Sequence, residues 1–373
     1  MKENLLMLLL IVILGSCRQK SSVNTQNQYS DSLNNNIIIG KGLGKRIDSL
    51  LQKEIVKGFS GSVFVSIKDS VILQKGYGWA DSLKTTLIKP STKFYLASTT
   101  KGITGVLTLI AQQKETLNTT DHLSMFYENC PKEFGNLSIH EMLIHTSGLS
   151  SEYETYGAIN RKDNVELVYK KPLGTKGEFN YSSAGYWLTG AIIEKLSETT
   201  YEEFAHKNLF EIAKMKNTDF WFEANEGDKN LFAQKLKKFP PDDLKPNWGY
   251  RASGGITTNI LDLKHYFQVL TSHQILNKES LGHLFGPHIT LKSGIGVGYG
   301  WYTTTTPRGT KEVWSRGGES FGHNSAIRWF VDEGVAILIL TSCGEIERNR
   351  EANRTVSDKI EKLIFTAPKS QSN

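Results

Sequence analysis

The sequence predicts an α/β (α+β) fold: an antiparallel sheet built from both chain ends, flanked by helices, with a helical region inserted between them. Three observations carry this reading. Strand-like apolar runs occur near the start and again in the last third. Apolar residues at helical spacing fill the middle. Short turns at 68–70 and 332–334 join neighbouring runs as hairpins, which makes those strand pairs antiparallel.

The folded body begins near Leu43, where Ile47, Leu50, Leu51 and Ile55 fall on one helical face. Residues 61–67 and 71–77 flank Lys68-Asp69-Ser70 as a β-hairpin. A long helix starts at Thr99, with Ile103, Val106, Leu107 and Ile110 on one side. From about 117 to 247 the chain reads as mostly helical, with segments at 138–144, 184–197 and 201–215. Strands return at 298–304, 311–315, 326–331 and 335–341. A closing helix lines up Val356, Ile360, Leu363 and Ile364.

The chain has 373 residues, 44 basic and 38 acidic, for a formal net charge of +6. With 39% hydrophobic and 22% charged residues it is ordinary globular material, long enough to bury a large core. The densest basic run, Lys235-Leu236-Lys237-Lys238, is too short for a nucleic-acid stripe, so no nucleic-acid partner is expected. Cys17, Cys130 and Cys343 make neither a disulfide framework nor a zinc site. Cys130 and Cys343 read as small core residues, with pairing between them left open. Nothing in the sequence sets an oligomeric state.

The N-terminus is distinct. Met1-Lys2 leads into an apolar stretch at 5–14, about signal-peptide length and too short to span a bilayer. Leu14-Gly15-Ser16-Cys17 then resembles a bacterial lipoprotein box. The resemblance implies a signal peptide at 1–16, lipid on Cys17 and a polar tether over 17–42. A domain would follow at 43–365, then a tail at 366–373. Membrane contact would come through the lipid alone, on the bacterial cell envelope. The competing reading is a plain secretory signal.

Several clusters could carry chemistry. In Ser98-Thr99-Thr100-Lys101, residues i and i+3 of a helix share a face, so the amine can reach the hydroxyl. Taken alone, this reads equally well as a serine N-cap with an exposed lysine. Gly318-Glu319-Ser320-Phe321-Gly322 matches G-x-S-x-G, but that elbow needs a helix after it and a later histidine. A strand follows instead, and only His323 lies downstream, too close to reach Ser320. His140 and His145 are five residues apart, about 140° round a helix, which excludes a zincin pair. Tyr181-Ser182-Ser183 could shuttle a proton through its phenol. Arg316-Gly317-Gly318 offers a cation with close backbone approach for a substrate carboxylate or carbonyl.

Together these segments resemble the serine β-lactamase and penicillin-binding-protein superfamily, in the branch of class C β-lactamases, related esterases and D-stereospecific peptidases. The resemblance covers about residues 43–365. Phe94 to Lys101 is similar to the serine-x-x-lysine motif, and Leu143-Ile144-His145-Thr146-Ser147-Gly148-Leu149 to a signature of the branch. Tyr181-Ser182-Ser183 stands where the family has tyrosine-x-asparagine. Ala252 to Thr258 resembles its glycine-rich turn, and Tyr299-Gly300-Trp301 the strand entry after it.

The resemblance implies a β-lactamase/transpeptidase-like fold and a serine hydrolase that forms an acyl-enzyme without metal or cofactor. Its substrate would be a small ester, amide or peptide. Ser98 would be the nucleophile, Lys101 its activating partner, and Tyr181 the base and then the acid. Ser183 replaces the asparagine, which weakens the expectation of a peptide or β-lactam side chain. The third motif, lysine- or histidine-x-glycine, has two registers here. Anchoring on Gly322 puts Arg316 at the cation position, followed by Gly317 and Gly318, and this register is preferred because it keeps a positive charge facing the site; anchoring on Trp314 puts Ser315 there instead. The oxyanion donors would be Ser98 N–H and either Glu319 N–H or, in the second register, Gly318 N–H. A non-catalytic cell-wall binding or sensing protein that keeps the fold is the alternative.

Overall fold

A computed structural model describes residues 36–68, 70–151, 158–222, 232–233, 247–318, 322–343 and 346–366. The expected signal segment, Cys17, the 235–238 lysine run, Glu319, Ser320 and the tail from 367 lie outside these residues.

The N-terminal elements are β1 (Ile38–Ile39), helix α1 (Leu43–Val56), β2 (Gly61–Ile67) and β3 (Ser70–Tyr77). The C-terminal elements are β7 (Ile289–Thr290), β8 (Gly296–Val297), β9 (Tyr302–Thr305), β10 (Lys311–Gly318), β11 (Asn324–Phe330) and β12 (Val335–Thr341). A closing helix spans Ile346–Phe365. Among the described residues these strands form one nine-stranded sheet in the order β1-β3-β2-β12-β11-β10-β9-β8-β7. Every pairing in it is antiparallel. β12 joins the two chain ends by pairing with β2 on one side and β11 on the other.

The alternation of β12 decides the layers. Val335, Ile337 and Ile339 pack with Ile47 and Leu51 of α1 and with Val356 and Ile360 of the closing helix. Ala336, Leu338 and Leu340 face the larger core under the helical region. A one-residue slip would exchange these faces, so burial fixes the register. Arg328 of β11 ties the closing helix to the sheet. Its guanidinium donates to Glu312 at 2.5 Å, Asp358 at 3.1 Å and Glu361 at 2.7 Å.

Helix boundaries differ from the sequence reading in instructive ways. The long helix starts at Thr100, because Ala97–Thr99 forms a 3-10 turn before it. The stretch expected as one helix over 201–215 is a short helix, Tyr201–Ala205, followed by a π-type turn, His206–Phe210. Helices also continue past 247, at Tyr250–Ser253, Ile260–Thr271 and Lys278–Phe285. Asn259 and Asn277 cap the last two by accepting backbone N–H groups, a signal present in the sequence but not used. The strand expected at 298–304 begins at Tyr302, since Gly300 takes a left-handed turn at φ 74°. The strand expected at 311–315 runs on to Gly318.

A smaller sheet is made of β4 (Phe94–Tyr95), β5 (Asp219–Phe220) and β6 (Ile256–Thr258), in the order β4-β6-β5, and β4 leads directly into the Ser98 turn. Cys130 and Cys343 are not joined to each other by a disulfide. Cys343 is buried and accepts the Ser60 N–H, whereas Cys130 sits beside the Tyr169 hydroxyl.

Candidate active site

The Ser98 turn is built under constraint. Ala97, just before Ser98, has φ 49°, a left-handed conformation that costs a non-glycine residue on the order of 1–2 kcal/mol. Neighbours hold it there. Leu96 N–H donates to Ile256 O at 2.9 Å. Ser325 Oγ donates to Leu96 O at 2.7 Å and lies 2.9 Å from Thr99 Oγ1. Tyr95 N–H donates to Nδ1 of the buried His323 at 3.1 Å.

One helical turn on, Lys101 is 3% exposed. An amine that deep requires polar partners. Its Nζ donates to Ser253 O at 3.0 Å and lies 3.4 Å from Ser98 Oγ. It also lies 5.1 Å from the centroid of the Tyr181 ring and 5.7 Å from that of Tyr186. The exposed-lysine reading of this motif therefore fails. Ser253, which the sequence reading left without a role, is fixed in turn by Trp187, whose Nε1 donates to Ser253 Oγ at 2.8 Å.

A cleft of about 350 Å³ opens over Ser98 and is lined by Tyr181, Tyr302, Trp314 and Arg316, by Gly317 and Gly318, and by Asn324. The closing helix contributes Arg350, Asn353 and Arg354 to its far wall. Sequence reasoning missed these three. Their spacing places them on one face of a helix, but nothing local says which face meets the cleft. Ser183 is buried at the start of the Ala184–Ser197 helix, and its Oγ makes no hydrogen bond among the described residues.

Strand β10 sets the third motif. Side chains alternate along it, so Ser315 and Gly317 share one face while Trp314 and Arg316 share the other. A Cβ on Gly317 would lie 2.3 Å from Leu96 O, 2.5 Å from Thr99 N and 2.6 Å from Ser98 N. Only glycine lets the strand approach the Ser98 turn this closely. Ser315 is buried on the same face and donates to Gly300 O at 3.1 Å. Arg316 stands on the other face, with its guanidinium carbon 5.4 Å from the centroid of the Trp314 ring. Burial holds its pKa below the usual arginine value. Ladder pairing of β10 with β9 ends at Trp314, so residues 315–318 present an unpaired strand edge there.

The two histidines of the 140–145 segment point to different places. His140 Nδ1 meets the Tyr299 hydroxyl at 2.7 Å. His145 is buried against Tyr181, with ring centroids 4.5 Å apart. Residues on both sides of the Ser320 segment are strand, β10 before it and β11 after it, so the helix that a nucleophile elbow needs does not follow.

These motifs lie within a stretch that matches one protein family. The model of the family described as Beta-lactamase matches residues 49–360. The chain belongs to the Beta-lactamase family. The superfamily and the fold expected from the motifs are thereby established. Protein flp of Staphylococcus aureus (strain N315) is 27% identical over 239 residues, 60% of this chain and 48% of that protein. The chain thus spans about half the length of the curated relatives matched at this level. Among solved structures, the octameric penicillin-binding protein homologue from Pyrococcus abyssi is similar at TM-score 0.69 and 25% identity, over 80% of this chain and 73% of that one. The D-amino acid amidase from Ochrobactrum anthropi SV3 complexed with D-phenylalanine shares the fold at TM-score 0.73 and 17% identity, over 87% of this chain and 99% of that one.

Proposed function

We propose that this Beta-lactamase family member is a serine hydrolase that transfers an acyl group from a small ester, amide or peptide to Ser98 and then to water. The observation that carries the reading is the buried Lys101 Nζ, 3.4 Å from Ser98 Oγ at the floor of a cleft that Tyr181 also lines. In acylation, Tyr181 takes the Ser98 proton as Oγ attacks the carbonyl carbon, with the Lys101 amine favouring negative charge on the phenol. The tetrahedral oxyanion is met by Ser98 N–H and Gly318 N–H, the donor given by the register in which Ser315 shares the Gly317 face. Collapse breaks the bond to the leaving group, which takes the proton from Tyr181. Water then repeats the sequence on the ester and frees the acid.

The cleft wall bears on substrate choice. Arg316, Arg350 and Arg354 surround it, which suits a substrate carrying a carboxylate. Ser183 is buried and does not line the cleft, and its hydroxyl, unpartnered among the described residues, is shorter and has fewer donors than an asparagine amide. This favours ester or D-amino-acid substrates over efficient β-lactam turnover. The lipoprotein-like Leu14-Gly15-Ser16-Cys17 supports attachment to the bacterial cell envelope. The Ser183 replacement also supports a second reading, a binder or sensor of cell-wall material that acylates without turnover.

Intact-mass measurement over time with a fluorophosphonate and a penicillin separates the two, alongside turnover of p-nitrophenyl esters, D-amino-acid amides and nitrocefin. Turnover with a transient adduct on Ser98 supports the hydrolase, and a permanent penicillin adduct without turnover supports the binder. Ser98→Ala is expected to abolish both adduct and turnover. Full activity in that variant would remove Ser98 from the mechanism.

A further inference from the structure

The signature segment around His145 is matched to the family by sequence, yet nothing above gives it a task. Its geometry converges on Tyr181. His145 has φ 63°, and this left-handed turn aims both its backbone and its ring at one place. Its carbonyl accepts the Asn180 N–H at 2.8 Å. Its Nδ1 lies 3.1 Å from both the backbone nitrogen and the carbonyl oxygen of Ser182. The residues on either side of Tyr181 are therefore both held by His145. The imidazole itself lies against the Tyr181 ring, with centroids 4.5 Å apart and planes inclined by 34°. Phe179 and Tyr186 close the remaining sides of the imidazole, at 5.7 Å and 5.4 Å.

We infer that His145 is a positioning residue for Tyr181, fixing the backbone on both sides of the tyrosine and the plane of its phenol through a neutral imidazole. The inference rests on the reading of Tyr181 as the acid–base group. Nδ1 lies 3.1 Å from both the N–H and the carbonyl oxygen of Ser182, so the neutral imidazole holds the Ser182 backbone as acceptor in one tautomer and as donor in the other. Burial and the neighbouring Lys101 charge push the His145 pKa down to about 3, so the imidazole adds no second cation beside the lysine. A charged ring there would oppose the Lys101 charge.

The test is a double-mutant cycle on ester turnover. His145→Phe keeps a ring but removes the acceptor; His145→Asn keeps an acceptor but removes the ring. Each is expected to lower kcat/KM by about 10- to 100-fold with KM little changed, since a shift of about 1 Å in a reacting group has that effect. In a Tyr181→Phe background the same changes are expected to add less than about twofold, because the group they position is gone. An equal loss in both backgrounds would make His145 merely structural and overturn the inference. Unchanged activity in both His145 variants would overturn it as well. Full activity of Tyr181→Phe alone would instead overturn the reading of Tyr181, and the inference with it. A mutation-free check covers variants that fail to fold. Nitrogen-15 labelled histidine should show His145 as a singly protonated, neutral ring from about pH 8 to about pH 5. A doubly protonated His145 ring in that range would overturn the inference.

Discussion

Gly317→Ala tests the site at its tightest point. The added methyl carbon would sit 2.3 Å from Leu96 O and 2.6 Å from Ser98 N, against an ordinary contact of 3.4 Å or more. The atoms it meets are backbone, so no side chain can swing aside. Either β10 or the Ser98 turn must give by about 1 Å, and the turn is pinned by Ser325, Ile256 and the left-handed Ala97. β10 is held as well, by its ladder with β11 through Gly318 and by Ser325 Oγ on Gly317 O, so a shift on either side changes the spacing between Ser98 N–H and Gly318 N–H. Losing one oxyanion donor lowers kcat by about 100- to 1,000-fold. The assay is steady-state hydrolysis of a p-nitrophenyl ester, with fluorophosphonate labelling of Ser98 and a thermal midpoint as controls. The expected outcome is a loss of kcat on that scale while the folded protein persists. Activity within about twofold of the parent would refute the argument that this approach sets the oxyanion site.

Three further outcomes follow from particular contacts. Arg328→Ala leaves the buried Glu312 without its cation and Glu361 with Arg308 alone, and should lower unfolding free energy by about 3 kcal/mol, read from urea midpoints. His145 and His323 are buried with pKa values pushed down to about 3 and about 4, while the unfolded chain takes up protons near 6.5. Their contribution to stability is complete above that unfolded value and is lost as pH falls toward the folded ones, by about 1.4 kcal/mol per unit and per histidine. Equal urea midpoints at about pH 7.5 and about pH 5 would contradict this. Arg354→Ala should raise KM for carboxylate-bearing substrates by about two- to fivefold and leave neutral esters unchanged, a modest effect because the side chain is exposed.

The parts of this molecule that were legible in its sequence are the ones whose physics is local. Ser98 and Lys101 share a helical face because of a fixed residue offset, and the structure adds that the lysine is buried. β2 and β12 announce themselves through apolar runs, and burial then selects their faces. What stayed hidden depends on contacts between distant segments. Ser315 and Arg316 are adjacent in the sequence, and only the structure shows that Ser315 shares the face of Gly317 that meets the Ser98 turn while Arg316 stands on the other. The far wall of the cleft comes from the closing helix, whose apolar stripe was visible while its polar face had no assignable neighbour.

His145 shows the limit most clearly. The segment was recognisable as a signature, but its role depends on a left-handed φ that no helical or strand rule assigns to a histidine. That single torsion lets one residue bond to both neighbours of Tyr181 and lay its ring against the phenol. A residue so placed has two ways to matter, through the fold and through the chemistry, and stability alone cannot distinguish them. Only the coupling between His145 and Tyr181 can. A loss that disappears when the phenol hydroxyl is removed assigns the histidine to the reaction, and a loss that persists assigns it to the fold.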